Sequence, residues 1–305
     1  MTYHSFFCLN SVSARHRKPK FQSRPQKQSK ILKINQFLPP YLIFRIYFNM
    51  KKEYILFIDS GMGGLSTLGL VYKNLPTNFI YYADNKNAPY GNHTQHKIYK
   101  YLKEIVEFVR AKYNVLIVVL ACNTATTSAI EKLREDFQGI RFVGTEPAIK
   151  LAYDLRFKKI LIVATPTTLK QKKFKLLKGS FKVSINDLAL STFASSIEEY
   201  FSCGSIYSHF IMQKNIYYIA QKSRCSDCLV LGCTHYVLLQ DKIALKSKIP
   251  VLNGNLGVLK QVVFWHEKLF LNKQSKPSIK FMVSNSSKTR IEIYKKIFYE
   301  ILAKV

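Results

Sequence analysis

Two cysteines in this chain stand at matching places in the sequence pattern. The apolar run Val115-Leu116-Ile117-Val118-Val119-Leu120-Ala121 leads into Cys122-Asn123-Thr124-Ala125, and Leu229-Val230-Leu231-Gly232 leads into Cys233-Thr234-His235-Tyr236. Short continuous apolar runs of this kind predict strands buried on both faces, and open parallel sheets place ligands beyond the carboxyl ends of such strands. Each strand therefore delivers a thiol, followed by amide, hydroxyl and backbone N–H groups at a helix start that can bind a carboxylate. A helix N-terminus also lowers a thiol pKa from its ordinary value of about 8.5 toward neutrality, as a base requires. Inverting a stereocentre by proton transfer needs two equivalent bases on opposite faces of one carbon. A single strand-end cysteine is more often a small core hydrophobe. A pair with matching polar tails points to chemistry.

Other residues have the types and places to assist. Asp59-Ser60-Gly61-Met62-Gly63-Gly64 follows an apolar run and opens a helix; its glycines let backbone approach a ligand, and Asp59 can cap the turn or shuttle a proton. A dinucleotide fingerprint would want glycine where Ser66 stands, and no P-loop lysine follows. Pro89-Tyr90-Gly91 lies in a loop suited to closing over a ligand, and equally suited to an ordinary turn. Thr165 follows the Ile160–Val163 strand, and Glu146 and Pro147 follow the strand at 142–144. His235 near Cys233 also permits a Cys/His nucleophile pair, which would leave Cys122 unexplained. Cys225-x2-Cys228-x4-Cys233-x-His235 superficially resembles a zinc knuckle. However, Leu229–Gly232 is a buried-strand run rather than a metal loop, and the histidine follows the last cysteine instead of preceding it. No metal is therefore expected.

The elements that must position these residues alternate along the chain. Strands are predicted over Tyr54–Ile58, Phe79–Tyr82, Val115–Leu120, 142–144 and Lys159–Ala164, then at 229–232, 250–252 and Ile279–Val283. Between them lie helices through about Lys73, over Lys97–Lys112 with Ile98, Leu102, Ile105, Val106 and Val109 at helical spacing, over Thr126–Phe137 and over Ala148–Leu155. This alternation predicts an α/β fold of parallel, doubly wound sheets with helices on both faces. The two strand–Cys–helix units stand 111 positions apart, which suggests two similar halves.

The chain has 305 residues, enough for two domains, and a formal charge of +29. Residues 1–49 hold nine Lys and Arg and no acid, and removing those nine leaves 38 basic against 18 acidic side chains. A basic excess spread so widely reads as compositional drift toward lysine rather than a nucleic-acid-binding face, so no nucleic acid is expected as partner. Six unevenly spaced cysteines do not make a secreted disulfide framework and fit a reducing cytoplasm. The most apolar stretch, Ile31–Phe48, is broken by Lys33, Pro39-Pro40 and Arg45, so no membrane span is expected. Residues 1–49 read as a disordered or targeting extension, or as upstream sequence translated ahead of a natural start at Met50.

Asp59-Ser60-Gly61-x-Gly63-Gly64, Pro89-Tyr90-Gly91, Ala121-Cys122-Asn123-Thr124-Ala125 and Leu231-Gly232-Cys233-Thr234-His235-Tyr236 together resemble the glutamate racemase family, in order, from about Lys52 to at least Pro250. Aspartate racemases share the two-cysteine plan but lack the Asp-Ser-Gly-x-Gly-Gly turn. The resemblance implies a cofactor-independent enzyme that interconverts L- and D-glutamate and supplies D-glutamate for peptidoglycan. It implies two α/β domains related by a pseudo-twofold, 50–145 plus 254–305 and 146–253, with the site in the cleft between them. It assigns acid/base roles to Cys122 and Cys233, assisted by Asp59 and His235. Ser60, Tyr90, Gly91, Asn123, Thr124, Thr165 and Thr234 would hold the amino acid, together with Asp59 and His235. The only partner implied is the small substrate, and a homodimer stays open. The chain departs from the family pattern at Asn253-Gly254, where an Asp is usual, and at Phe281-Met282-Val283-Ser284-Asn285, where a Thr/Ser-Gly-Asp ending is usual.

Overall fold

Apolar runs too short to be helices pair into sheets here, and the amphipathic stretches between them cover the sheet faces. The computed structural model describes residues 52–271 and 276–304. Among these, the strands are β1 (Glu53–Asp59), β2 (Asn78–Ala83), β3 (Asn114–Leu120), β4 (Arg141–Gly144), β5 (Lys159–Ala164), β6 (Ser184–Ala189), β7 (Cys228–Leu231), β8 (Val251–Leu252) and β9 (Ser278–Val283). They form a five-stranded sheet in the order β4-β3-β1-β2-β9 and a four-stranded sheet in the order β6-β5-β7-β8. Every pairing is parallel. Parallel neighbours require crossovers, and the helices that make them bury both faces of each sheet. Ile55, Leu56, Phe57 and Ile58 of β1 are accordingly 0% exposed, with alternate side chains feeding the core on either face.

Strand order reverses beside β1 in the first sheet and beside β5 in the second, the positions where open α/β sheets leave a crevice at their carboxyl ends. Both cysteines of interest follow strands at those switch points. The first sheet takes its last strand, β9, from near the end of the chain, in register Ala83↔Val283 with β2.

Element boundaries shift for identifiable reasons. The helix expected from Lys97 starts at Gln95, because the Thr94 hydroxyl accepts from Lys97 N (3.4 Å) and caps it. Its five predicted apolar residues are all buried. The helix expected from Thr126 starts at Asn123, immediately after Cys122, so the amides of its first turn lie beside that thiol. At the departures from the family pattern, Asn253 accepts from Asn255 N (2.9 Å) and donates to Gln240 Oε1 (2.6 Å). Ser284 accepts from Lys86 N (2.8 Å), tying β9 to the loop after β2. No helix among the described residues is long and apolar enough to cross a membrane. The expectations for residues 1–49, including the stretch at 31–48, lie outside the described residues.

Candidate active site

Each cysteine is delivered by the same backbone device. Ala121 N donates to Ile58 O (2.8 Å) and Gly232 N donates to Val163 O (2.8 Å), extending each parallel ladder one residue past the strand. The next residue is the cysteine. Cys122 (φ −135°, ψ 125°) and Cys233 (φ −142°, ψ 132°) each occupy the extended position just before a helix, and neither side chain caps that helix. Two separate sheets thus present their thiols in nearly identical local conformations.

The thiols meet at one cavity of about 480 Å³, whose lining includes Cys122, Cys233, Ser60, Tyr90, Thr124 and His235. That volume suits a small, largely enclosed ligand. Gly91 and Thr165 also line it. The Thr165 hydroxyl pairs with that of Thr124 (3.1 Å), and both pair with Thr168, so three hydroxyls join the two sides of the cleft. Tyr90 gives the cavity its ring, while its hydroxyl donates to the buried Asp84 (2.8 Å). Asp59, Asn123 and Thr234 stand just behind the wall and are buried. Asp59 accepts from Gly61 N (2.8 Å) and from the Thr234 hydroxyl (3.1 Å). Asn123 keeps a buried carbonyl oxygen with no partner among the described residues. The cysteines of the knuckle-like spacing disperse, with Cys228 inside β7 and Cys225 exposed. Among the described residues no cluster of His, Cys, Asp or Glu is placed to hold a metal ion.

Burial sets the charges. Asp59 is fully enclosed, so desolvation raises its carboxyl to about 6, although His235, Gly61 N and Thr234 favour the anion. The Cys122 thiol moves opposite to the expectation from its helix start. Burial, followed by the Asp59 charge, pushes it well above its ordinary value, and hydrogen bonds from Ala125 N and Thr124 N recover only part. Burial opposes a charged His235, but its hydrogen bonds to Cys233 and Glu198 outweigh that cost and hold it well above the ordinary histidine value. Burial likewise opposes the Glu198 anion, yet His235, Tyr294 and Met62 N keep its carboxyl below the ordinary range.

Glu198 is the residue that the sequence pattern did not reveal. It lies on the helix Phe193–Cys203 and lines the cavity, with Oε2 2.9 Å from His235 Nε2. The glycine turn makes room for this arrangement. A Cβ on Gly61 would come within 2.4 Å of Glu198 Oε2, and one on Gly63 within 2.6 Å of His235 Nδ1. Nothing local in Ser195-Ser196-Ile197-Glu198-Glu199 marks it, since one of its partners, Met62, is 136 positions away. Its one legible signal is an acid on the inner face of an amphipathic helix.

Two parallel α/β sheets bring two thiols to one small cleft, the architecture of an α/β enzyme with its site at the strands' carboxyl ends. No protein-family model matches the chain. It is 36% identical over 255 residues to the glutamate racemase of Clostridium botulinum (strain Alaska E43 / Type E3), covering 81% of this chain and 97% of that protein. It is 39% identical over 232 residues to that of Clostridium novyi (strain NT), covering 74% and 86%. In fold it matches Escherichia coli glutamate racemase, solved in complex with L-glutamate, with a TM-score of 0.70 at 24% identity over 82% of this chain and 95% of that one. The chain belongs to the glutamate racemase family.

Proposed function

We propose that this protein interconverts L- and D-glutamate by moving the α-proton between Cys122 and Cys233, without an electron-sink cofactor. It would supply D-glutamate for peptidoglycan synthesis in the cytoplasm, using two domains bounded at 50–145 plus 254–305 and 146–253. The observation that carries the reading is the shared cavity: both thiols line it, each at the tip of its own sheet. An amino-acid α-proton is very weakly acidic, so its removal needs a base held in contact and a polar site preorganised around the developing carbanion. Cys122, raised by burial and by Asp59, stays a thiol and is ready to donate. Cys233, hydrogen-bonded to His235, is then the sulfur that takes the α-proton from the enantiomer presented to it. The C–H bond breaks, its electron pair remains on carbon and delocalises into the carboxylate, and the Cys122 S–H gives its proton to the opposite face. Nothing is oxidised or reduced. For the other enantiomer Asp59 first takes the Cys122 proton and His235 gives one to Cys233, and the same steps then run from Cys122.

The substrate carboxylate would rest on the first-turn amides after the cysteines, with Thr124, Thr165 and Ser60 around it. The unpartnered Asn123 oxygen is suited to accept from its ammonium, whose charge would also draw the Cys122 thiol down toward a usable range. Gly91, Tyr90 and Thr234 would shape the remainder.

The test is a chiral assay of the full chain with L-glutamate and L-aspartate in D2O, without added cofactor. Glutamate is expected to racemise with deuterium at the product α-carbon, and Cys122→Ser and Cys233→Ser are each expected to abolish turnover without unfolding. Normal racemisation by both single variants would refute the assignment, and preferential turnover of aspartate would reassign the substrate.

A further inference from the structure

The Glu198 carboxylate is gripped from a distant part of the chain. Its Oε2 accepts from Met62 N (2.8 Å) and faces His235; its Oε1 accepts from the Tyr294 hydroxyl (2.5 Å) and lies 3.6 Å from Arg290 Nη1. Tyr294 is 0% exposed, and its hydroxyl receives a hydrogen bond from Asn85 Nδ2. We infer that Tyr294, supported by Arg290, is a positioning residue: the last helix, Lys288–Lys304, fixes the Glu198 carboxylate against His235 and so keeps His235 aimed at Cys233. This rests on the racemase reading above.

A glutamate side chain on a helix has several freely rotating bonds, and one hydrogen bond to His235 would leave the carboxylate plane free to turn. Engaging both oxygens removes that freedom. The grip also crosses the molecule. Glu198 follows β6 of the second sheet, whereas Met62 and Tyr294 follow β1 and β9 of the first. A structural tie alone has no need of a buried anion touching the histidine beside a cleft thiol. The charged or titratable groups acting on Glu198 are His235, Arg290, Tyr294, Asp59 and Tyr81. The Tyr294 ring packs edge-on against Tyr81 (6.4 Å between centroids), so Tyr294→Phe keeps the packing and removes only the hydroxyl.

The experiment measures kcat and KM for both glutamate enantiomers from pH 5 to 9.5 on wild type, Tyr294→Phe and Arg290→Met, with thermal unfolding alongside. Tyr294→Phe is expected to fold and to lose about tenfold in kcat/KM, the effect of one hydrogen bond to a charged group. The loss should fall mainly on kcat and be equal for the two enantiomers. Without the hydroxyl that holds it in place, the Glu198 carboxylate supports the His235 cation less, so the alkaline limb of kcat/KM moves to lower pH. Arg290→Met, at a partly exposed site, shifts the limb the same way by less. Wild-type rates and an unmoved limb in Tyr294→Phe overturn the inference. A slower enzyme with an unmoved limb makes the tyrosine merely structural and overturns it too. Should Tyr294→Phe fail to fold, Arg290→Met decides, and a profile identical to wild type refutes the role. A wild-type protein that turns over neither enantiomer refutes the racemase reading and this inference together, and a racemising wild type keeps the two failures apart.

Discussion

Replacing Asp59 with Asn is expected to stabilise the protein at neutral pH while impairing it as a catalyst. Asp59 is 0% exposed and its carboxyl is raised from 3.8 to about 6, chiefly by desolvation. The folded state therefore holds this proton more tightly than the unfolded chain does. Below about pH 3.8 the group is neutral in both states and the folded form keeps its full advantage. As pH rises through about 6 that advantage is lost, because the folded protein must carry a buried anion that the unfolded chain solvates freely. The difference of about two pH units is worth about 3 kcal/mol at 1.36 kcal/mol per unit. Asparagine has nearly the same shape and cannot ionise. Its oxygen can keep the hydrogen bond from Gly61 N, and its amide can donate to the Thr234 hydroxyl. At pH 7.5 Asp59→Asn should thus gain up to about 3 kcal/mol, or on the order of 5 °C in Tm. The advantage over wild type should vanish toward pH 4. Urea unfolding followed by circular dichroism at pH 4, 5, 6 and 7.5 measures it, with a racemisation assay on the same samples. A variant less stable than wild type at pH 7.5, or a stability difference flat across that range, would refute the reasoning.

Other expectations follow from the same geometry. With the Asp59 anion relaying protons as proposed, wild-type kcat/KM should fall as pH drops through about 6, and Asp59→Asn should lack that limb at a much lower rate; a pH–rate series on both checks it. Loss of the His235 proton should set an alkaline limb of kcat/KM, and Glu198→Gln, which removes the negative partner favouring that cation, should move the limb to lower pH; NMR titration of the ring reads the same shift directly. Gly63→Ala places a Cβ 2.6 Å from both His235 Nδ1 and Thr234 Oγ1, and should cost about 1–3 kcal/mol in denaturant stability and reduce racemisation at least a hundredfold. A fully active Gly63→Ala enzyme would mean that His235 has room the structure does not give it.

Much of this protein is determined by local sequence. Continuous apolar runs such as Val115–Leu120 are strands because strands buried on both faces carry no polar alternation, and the amphipathic stretch after Thr94 is a helix because its apolar residues recur at helical spacing. Cys122 and Cys233 were legible because strand-end position and polar tail repeat within a few residues of each. The tertiary structure decided what depends on neighbours far along the chain. Sequence favoured a lowered Cys122 thiol from its helix start, but the fold buries that thiol beside Asp59, and desolvation with like charge outweighs two amide donors. Glu198 showed locally only as an acid on the inner face of a helix, because Met62, His235 and Tyr294 reach it only once both sheets and the last helix are assembled. Residue type and spacing determine which groups are delivered. Protonation depends on the dielectric and the charges around a group, and those exist only after distant segments have packed.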